Sequence, residues 1–106
     1  MLATTASVDE ILKAAGSREF KLVVDVERGE WLLPRAVWLL QEKLNAYASF
    51  ILDGKMREFY PYALPADCRI VIKSRGQPPH DALKLLEMVR GALSKEGVKV
   101  DFEQVT

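Results

Sequence analysis

The sequence contains only one cysteine and one histidine, which argues against two common kinds of site. A zinc site needs several His, Cys or carboxylate ligands at one point, and the acidic residues do not cluster, so we expect no metal and no cofactor. Cys68 cannot form a disulfide within the chain and is expected to be a small buried apolar residue. A Cys68–His80 nucleophile pair is disfavoured, because a strand of about six residues would separate the two side chains by roughly 20 Å.

The chain also lacks net charge, because 15 basic residues balance 15 acidic ones. Tight nucleic-acid binding usually draws on a basic excess that neutralises phosphates, so no nucleic-acid partner is expected. No apolar run approaches the roughly 20 residues that cross a bilayer. The segment from Met1 to Gly16 lacks the basic start of a signal peptide. With the lone cysteine, these features predict a soluble, cytoplasmic protein without a membrane partner.

The length of 106 residues, of which 49% are hydrophobic, suffices for one hydrophobic core. The sequence contains no internal repeat and no linker. We therefore predict a single domain over residues 1–106, with a short N-terminal helix and lead-in over 1–18 and the core over 19–106.

The N-terminal helix is predicted from its capping residues and its periodicity. Ser7 and Glu10 have the spacing of a capping box. Val8 and Ile11 recur at helical spacing, and Gly16 is a natural stop.

Three segments alternate apolar and polar residues, as strands with one buried side do. They are Phe20–Glu27, Cys68–Lys73 and Val98–Glu103. Two longer segments have helical periodicity and end at glycine. They run from Pro34 to about Asp53 and from Asp81 to about Glu96. Residues 31–33 are either a short strand or an extended lead-in, and residues 55–65 are expected to form a helical turn and then a loop packed on the core.

This order of elements predicts an α/β fold, with α+β also possible. Strand–helix–strand connections of this length make parallel crossovers. Strands covered on both faces would be continuously apolar, and these are not. We expect a two-layer sandwich, in which a three- to four-stranded sheet carries two long helices on one face. A ferredoxin-like arrangement that includes a hairpin is the main alternative.

The outer face of this sheet and one tryptophan are candidate interface positions. Val23 and Val71 lie among charged residues on the outer face, which is either solvated or a self-pairing surface. Trp38 falls near the polar side of the first long helix, where it could anchor a protein contact. Five aromatic residues of this helix and of the segment after it are predicted to be core or interface, with a pocket as the alternative. They are Tyr47, Phe50, Phe59, Tyr60 and Tyr62.

The loop from Lys73 to His80 is a candidate anion site. It joins the end of a strand to the start of a helix, where open α/β sheets often bind ligands. Ser74, Arg75, Gly76 and His80 would contact the anion. Two prolines remove the N–H donors that a phosphate cradle needs, so a rigid connection is the favoured interpretation.

Residues 41–56, which read QEKLNAYASFILDGKM, are followed by Tyr60 and Pro61. This stretch resembles the signature helix of a bacterial family described only as a domain of unknown function. The resemblance covers roughly residues 20–104 and includes the later strand–helix–strand. It implies no activity and no catalytic residue.

The sequence therefore favours a non-enzymatic module that self-associates as a homodimer or binds another protein. The alternative is a small-molecule or anion-binding protein, or an enzyme, that uses the loop 74–80.

Overall fold

The computed structural model describes Leu2, residues 8–13 and residues 15–105 of the chain. Four strands, three α-helices and two short 3-10 helices lie within these residues. The strands are β1 (Glu10–Lys13), β2 (Phe20–Val26), β3 (Cys68–Arg75) and β4 (Lys99–Val105). The α-helices are α1 (Ala36–Leu52), α2 (Lys55–Phe59) and α3 (His80–Ser94). The 3-10 helices are Arg28–Leu32 and Pro65–Asp67. The predicted α/β fold is confirmed.

The strands form one mixed sheet in the order β1-β2-β3-β4. Strands β2, β3 and β4 are parallel, as the long helical connections require, and β1 is antiparallel to β2. Helices α1 and α3 contact each other, so they cover the same face of the sheet. The architecture is therefore the predicted two-layer sandwich, with four strands.

The core lies between the sheet and the two long helices. Every second residue of β2 and β3 is buried there, which confirms the predicted inward sets. They are Phe20, Leu22, Val24 and Val26 from β2, and Cys68, Ile70 and Ile72 from β3. Helix α1 meets them with Leu40, Leu44, Tyr47 and Ile51. Burying one large apolar side chain contributes about 1.5–3 kcal/mol, so this layer stabilises the fold.

The predicted N-terminal helix is wrong for residues 10–13, which form β1. Ser7 of the expected capping box lies outside the described residues. A helix of about two turns is marginal in isolation, whereas β1 gains backbone hydrogen bonds by pairing with the edge of β2. In this register Ile11 lies beside Leu22 and packs against the core, as Val8 does.

The segment between β2 and α1 is not a strand, because Arg28–Leu32 forms a 3-10 helix. Leu33 is extended before Pro34, as expected for a residue that precedes proline. The hairpin of the ferredoxin-like alternative is therefore absent at this position. Gly54 adopts a left-handed φ of 93° and ends α1 as predicted. Helix α2 is the predicted helical turn.

Candidate functional site

The loop proposed to bind anions is held mainly by its own hydrogen bonds. Ser74 is buried, and its hydroxyl accepts a hydrogen bond from Nε1 of Trp31 at 2.7 Å and donates to the Gly76 carbonyl at 3.2 Å. The Gln104 amide donates to the same carbonyl at 2.8 Å. Gly76 has a φ of 86°, and a Cβ there would lie 2.9 Å from Cγ of Arg28. The glycine is therefore needed for a tight turn.

The other two candidate anion-binding residues, Arg75 and His80, face solvent. The guanidinium of Arg75 lies 3.7 Å from the carboxylate of Glu27, and His80 is exposed at the first turn of α3. Pro78 and Pro79 precede His80 and bring no N–H donors. Ser74 and Arg75 are thus the last two residues of β3, Gly76 lies in the connection, and His80 is the first residue of α3. Of these four candidates, Arg75 and His80 are the two directed at solvent.

The outer face of the sheet offers little exposed apolar surface. Val23 and Val71 are register partners there, and both are buried under their neighbours. The guanidinium of Arg69 pairs with Glu19 at 3.2 Å and with Asp101, and the hydrogen bond that it donates to the Asp101 carboxylate raises the pKa of Arg69. Charges on this face are therefore partly neutralised across the strands.

Trp38 does not join the two valines, because α1 covers the opposite face of the sheet. Its ring is exposed, and the Arg35 guanidinium lies 4.0 Å from the ring centroid. The three predicted interface positions therefore belong to two separate surfaces.

The most apolar cavity found among the described residues lies where β2 and β3 begin. It has a volume of about 350 Å³, and we call it the aromatic pocket. Its lining combines six mainly apolar residues with three charged ones. They are Phe20, Phe59, Tyr60, Pro61, Tyr62 and Ala63, with Lys13, Arg18 and Asp67. It is at the opposite end of β3 from the loop 74–80.

The chain builds this pocket by reversing direction after α1. The left-handed Gly54 leads into α2, which Met56 anchors in the core. The ring of Phe59 then stacks on Phe50 with 6.0 Å between centroids. The ring of Tyr60 packs on Phe20 at 4.7 Å, tilted by 52°. One wall of the pocket is therefore fixed by ring packing.

The opposite part of the rim carries charge. The ammonium of Lys13 lies 5.7 Å from the ring centroid of Phe20 and donates to the Ser17 carbonyl at 2.6 Å. The Arg18 side chain is 80% exposed, and its guanidinium lies 3.9 Å from the carboxylate of Asp67. That carboxylate also accepts the backbone N–H of Leu64 at 3.2 Å. The pocket therefore joins an apolar floor to a rim with two cations.

A second polar cluster lies between α1 and the start of β1, and the sequence analysis missed it. Lys43 is fully buried, and its ammonium donates to the Asp9 carboxylate at 2.5 Å. The Tyr47 hydroxyl donates to the Val23 carbonyl at 2.5 Å and accepts the Asp9 N–H at 2.7 Å. Burial raises the pKa of Tyr47, so the hydroxyl stays protonated as a donor. The cluster ties the beginning of β1 to α1 and β2.

A signal for Lys43 is present in the sequence. It falls on the apolar stripe of α1, three residues after Leu40 and four before Tyr47. A lysine at such a position has to find a partner for its charge when the stripe is buried.

Metal-ligating clusters and free thiols are two kinds of reactive group that bear on chemistry at a site. None of them form a group of three His, Cys, Asp or Glu side chains placed to hold a metal ion. Cys68 is buried, and burial with the nearby Asp67 charge raises the pKa of its thiol to about 11, so it is a poor nucleophile near neutral pH.

In the part of the chain that the structure describes, no helix is both long and apolar enough to cross a bilayer. No curated protein and no solved structure matches this chain significantly. A family model does match, and it spans residues 1–106. The chain, with its mixed four-stranded sheet and its aromatic pocket, belongs to the family of unknown function DUF6572.

Proposed function

We propose that this chain is a non-enzymatic protein-interaction module whose aromatic pocket receives a bulky apolar side chain from a partner protein. One observation carries the proposal. Beside a cavity of about 350 Å³, the side chains of Phe59 and Tyr62 are 67% and 90% exposed, and Leu64 is half exposed. Exposed apolar groups around a concave site are typical of binding surfaces.

The exposed rings beside the pocket offer a partner a large apolar area. An aromatic side chain presents roughly 150–250 Å², and burial contributes about 25 cal/mol per Å². Covering the exposed parts of Phe59 and Tyr62 would therefore contribute at most about 3 kcal/mol each, before the entropy cost of association. Aromatic residues placed in this way are common binding hot spots.

The partner that we propose is a different protein rather than a second copy. The homodimer expected from the sequence drew on Trp38, Val23 and Val71; the two valines are buried within the chain, and of the three only Trp38 is exposed. Light scattering coupled to gel filtration over a concentration series tests this choice. We expect a mass near 11.9 kDa throughout. A dimer that Tyr62→Ser dissociates would show instead that a second copy occupies the pocket.

A peptide selection tests the pocket itself. Peptides selected from a random library on the wild-type protein should share a bulky apolar residue. They should bind Tyr62→Ser about tenfold more weakly, the equivalent of about 1.4 kcal/mol. Met88→Ser is the matched control, because Met88 is 73% exposed on α3 and does not line the pocket. Failure to select any peptide, or equal loss with both variants, would contradict the proposal.

We also propose two further properties that the sequence predicts, namely the cellular location and, as an alternative function, anion binding. A cytoplasmic location is supported by the lone buried thiol of Cys68 and is checked by cell fractionation.

Anion binding at residues 74–80 has weaker support, because Ser74 and Gly76 already form hydrogen bonds within the protein. A rise in Tm with phosphate that Arg75→Ala abolishes would favour that alternative.

A further inference from the structure

We infer that the aromatic pocket selects an acidic segment of its partner. A bulky apolar side chain enters between the rings, and a carboxylate beside it in the partner's sequence pairs with Lys13 and Arg18. This inference rests on the proposed function and adds the chemistry of the partner to it.

The two cations of the rim have donors to offer. Arg18 is 80% exposed, and its only ion pair among the described residues is the 3.9 Å contact with Asp67. A guanidinium carries five N–H donors, and a lysine ammonium carries three. The Ser17 carbonyl accepts a hydrogen bond from Lys13, and two further donors of that ammonium can reach a ligand. Both side chains line the mouth of the same cavity.

The nearby acidic groups do not cancel this charge. The side chain of Asp67 is only 17% exposed and accepts the Leu64 N–H. Glu19 pairs with Arg69 at 3.2 Å on the outer face of the sheet. An approaching peptide therefore meets Lys13 and Arg18 before it meets a carboxylate.

A cationic ligand fits the same pocket poorly. Several aromatic rings around a cavity can form a cage for a quaternary ammonium group. Here the ammonium of Lys13 already lies 5.7 Å from the Phe20 centroid, so a second cation would be repelled by a like charge. The combination of rings and cations instead matches an apolar side chain next to an acidic one.

Three synthetic peptides that differ only in the residues around a single tryptophan test the inference. The flanks are Asp and Glu in the first, Ser and Gly in the second, and Lys and Arg in the third. Fluorescence polarisation at about 0.1 M salt should show the acidic peptide binding about tenfold more tightly than the basic one. At about 1 M salt the difference should largely disappear, since exposed ion pairs are then screened.

Variants of the rim assign the effect to its residues. Lys13→Gln and Arg18→Gln should each weaken the acidic peptide about two- to fivefold and leave the neutral peptide unchanged. Lys84→Gln is the matched control, because it removes an exposed lysine of α3 outside the pocket lining. Circular dichroism verifies that all three variants fold.

The possible failures are distinguishable. Equal binding of the three peptides, or tighter binding of the basic one, overturns the acid preference and leaves the binding role of the pocket intact. Binding of none of them contradicts the proposed function too. An acidic peptide with serine in place of tryptophan serves as a further control, and its equal binding would reduce the site to a charged patch and overturn both.

Discussion

Asp9→Asn should destabilise the fold far more than an ordinary surface substitution. The reason is its partner, Lys43, which is fully buried and donates to the Asp9 carboxylate at 2.5 Å. Asparagine keeps the size of the side chain and one acceptor oxygen, but it removes the negative charge. The ammonium would then stay in the core without its carboxylate.

The size of the effect follows from burial. Removing one partner of a buried ion pair costs about 3–5 kcal/mol. The Asp9 side chain is 17% exposed, so some water reaches the pair, and we expect the lower end, about 3 kcal/mol. For a domain of this size that corresponds to a fall in Tm of at least about 12 °C.

Removing the other partner of the pair, Lys43, should lower the free energy of unfolding much less. Lys43→Met fills the same space with an apolar chain, and the partly exposed Asp9 carboxylate can then be hydrated. We expect about 1 kcal/mol for Lys43→Met and a similar cost for the double variant. The double-mutant cycle should therefore give a coupling energy of about 3 kcal/mol in magnitude. Urea unfolding followed by tryptophan fluorescence measures all four proteins.

The same pair predicts how stability depends on pH. Burial alone would raise the pKa of Asp9, but the hydrogen bonds it accepts, that of Lys43 among them, hold the pKa below its ordinary value of 3.8. A carboxylate with a lowered pKa contributes stability above the unfolded value and loses it as pH falls through the folded value. The difference in the free energy of unfolding between wild type and Asp9→Asn should therefore be constant near neutral pH and become smaller below about pH 4. The reasoning would be refuted if Asp9→Asn lowered the free energy of unfolding by less than about 1 kcal/mol at neutral pH. It would also be refuted if Lys43→Met lowered that free energy as much as Asp9→Asn does.

Three further substitutions or reactions test other contacts. Ser74→Ala should cost about 1–3 kcal/mol in urea unfolding, because the buried indole N–H of Trp31 loses its acceptor; a neutral result would show that this bond contributes nothing. Gly76→Ala should also lower the free energy of unfolding, since its φ is 86° and the new Cβ would lie 2.9 Å from Cγ of Arg28; unchanged stability would contradict the turn geometry. Cys68 should resist iodoacetamide in the folded protein and react in urea, because burial raises its thiol pKa to about 11; rapid alkylation of the native state would contradict its burial.

The central part of the fold could be predicted because its signals are local. Strands β2 and β3 alternate apolar and polar residues except at Val23 and Val71, and glycines mark the ends of the long helices. The N-terminal segment could not be predicted in this way. The spacing of Val8 and Ile11 fits a helix, but the deciding factor is the open edge of β2, which offers Glu10–Lys13 a row of backbone partners. That edge is a property of the assembled sheet and not of the segment.

The aromatic pocket is only partly visible in the sequence. Phe59, Tyr60 and Tyr62 lie close together along the chain, and a pocket was the alternative to core packing. Of these three, Tyr60 packs on a core residue, whereas Phe59 and Tyr62 are exposed. The cation that completes the rim, Lys13, comes from a strand almost fifty positions earlier. Only the pairing of β1 with β2 brings Lys13 close to residues 59–62, and that pairing cannot be read from either segment alone.

Strand β1 links the buried ion pair to the proposed binding site. Asp9 lies directly before the strand, and Lys13 ends it at the rim of the aromatic pocket. A strand of four residues at a sheet edge has few hydrogen bonds of its own, so its position depends on the anchor at Lys43 and Tyr47. The rings of Phe59 and Tyr60 are held from α1, α2 and β2 and do not share this dependence. The apolar and the acidic parts of the proposed recognition therefore have different structural supports, and loosening β1 should weaken the acid preference before it weakens binding of the apolar side chain.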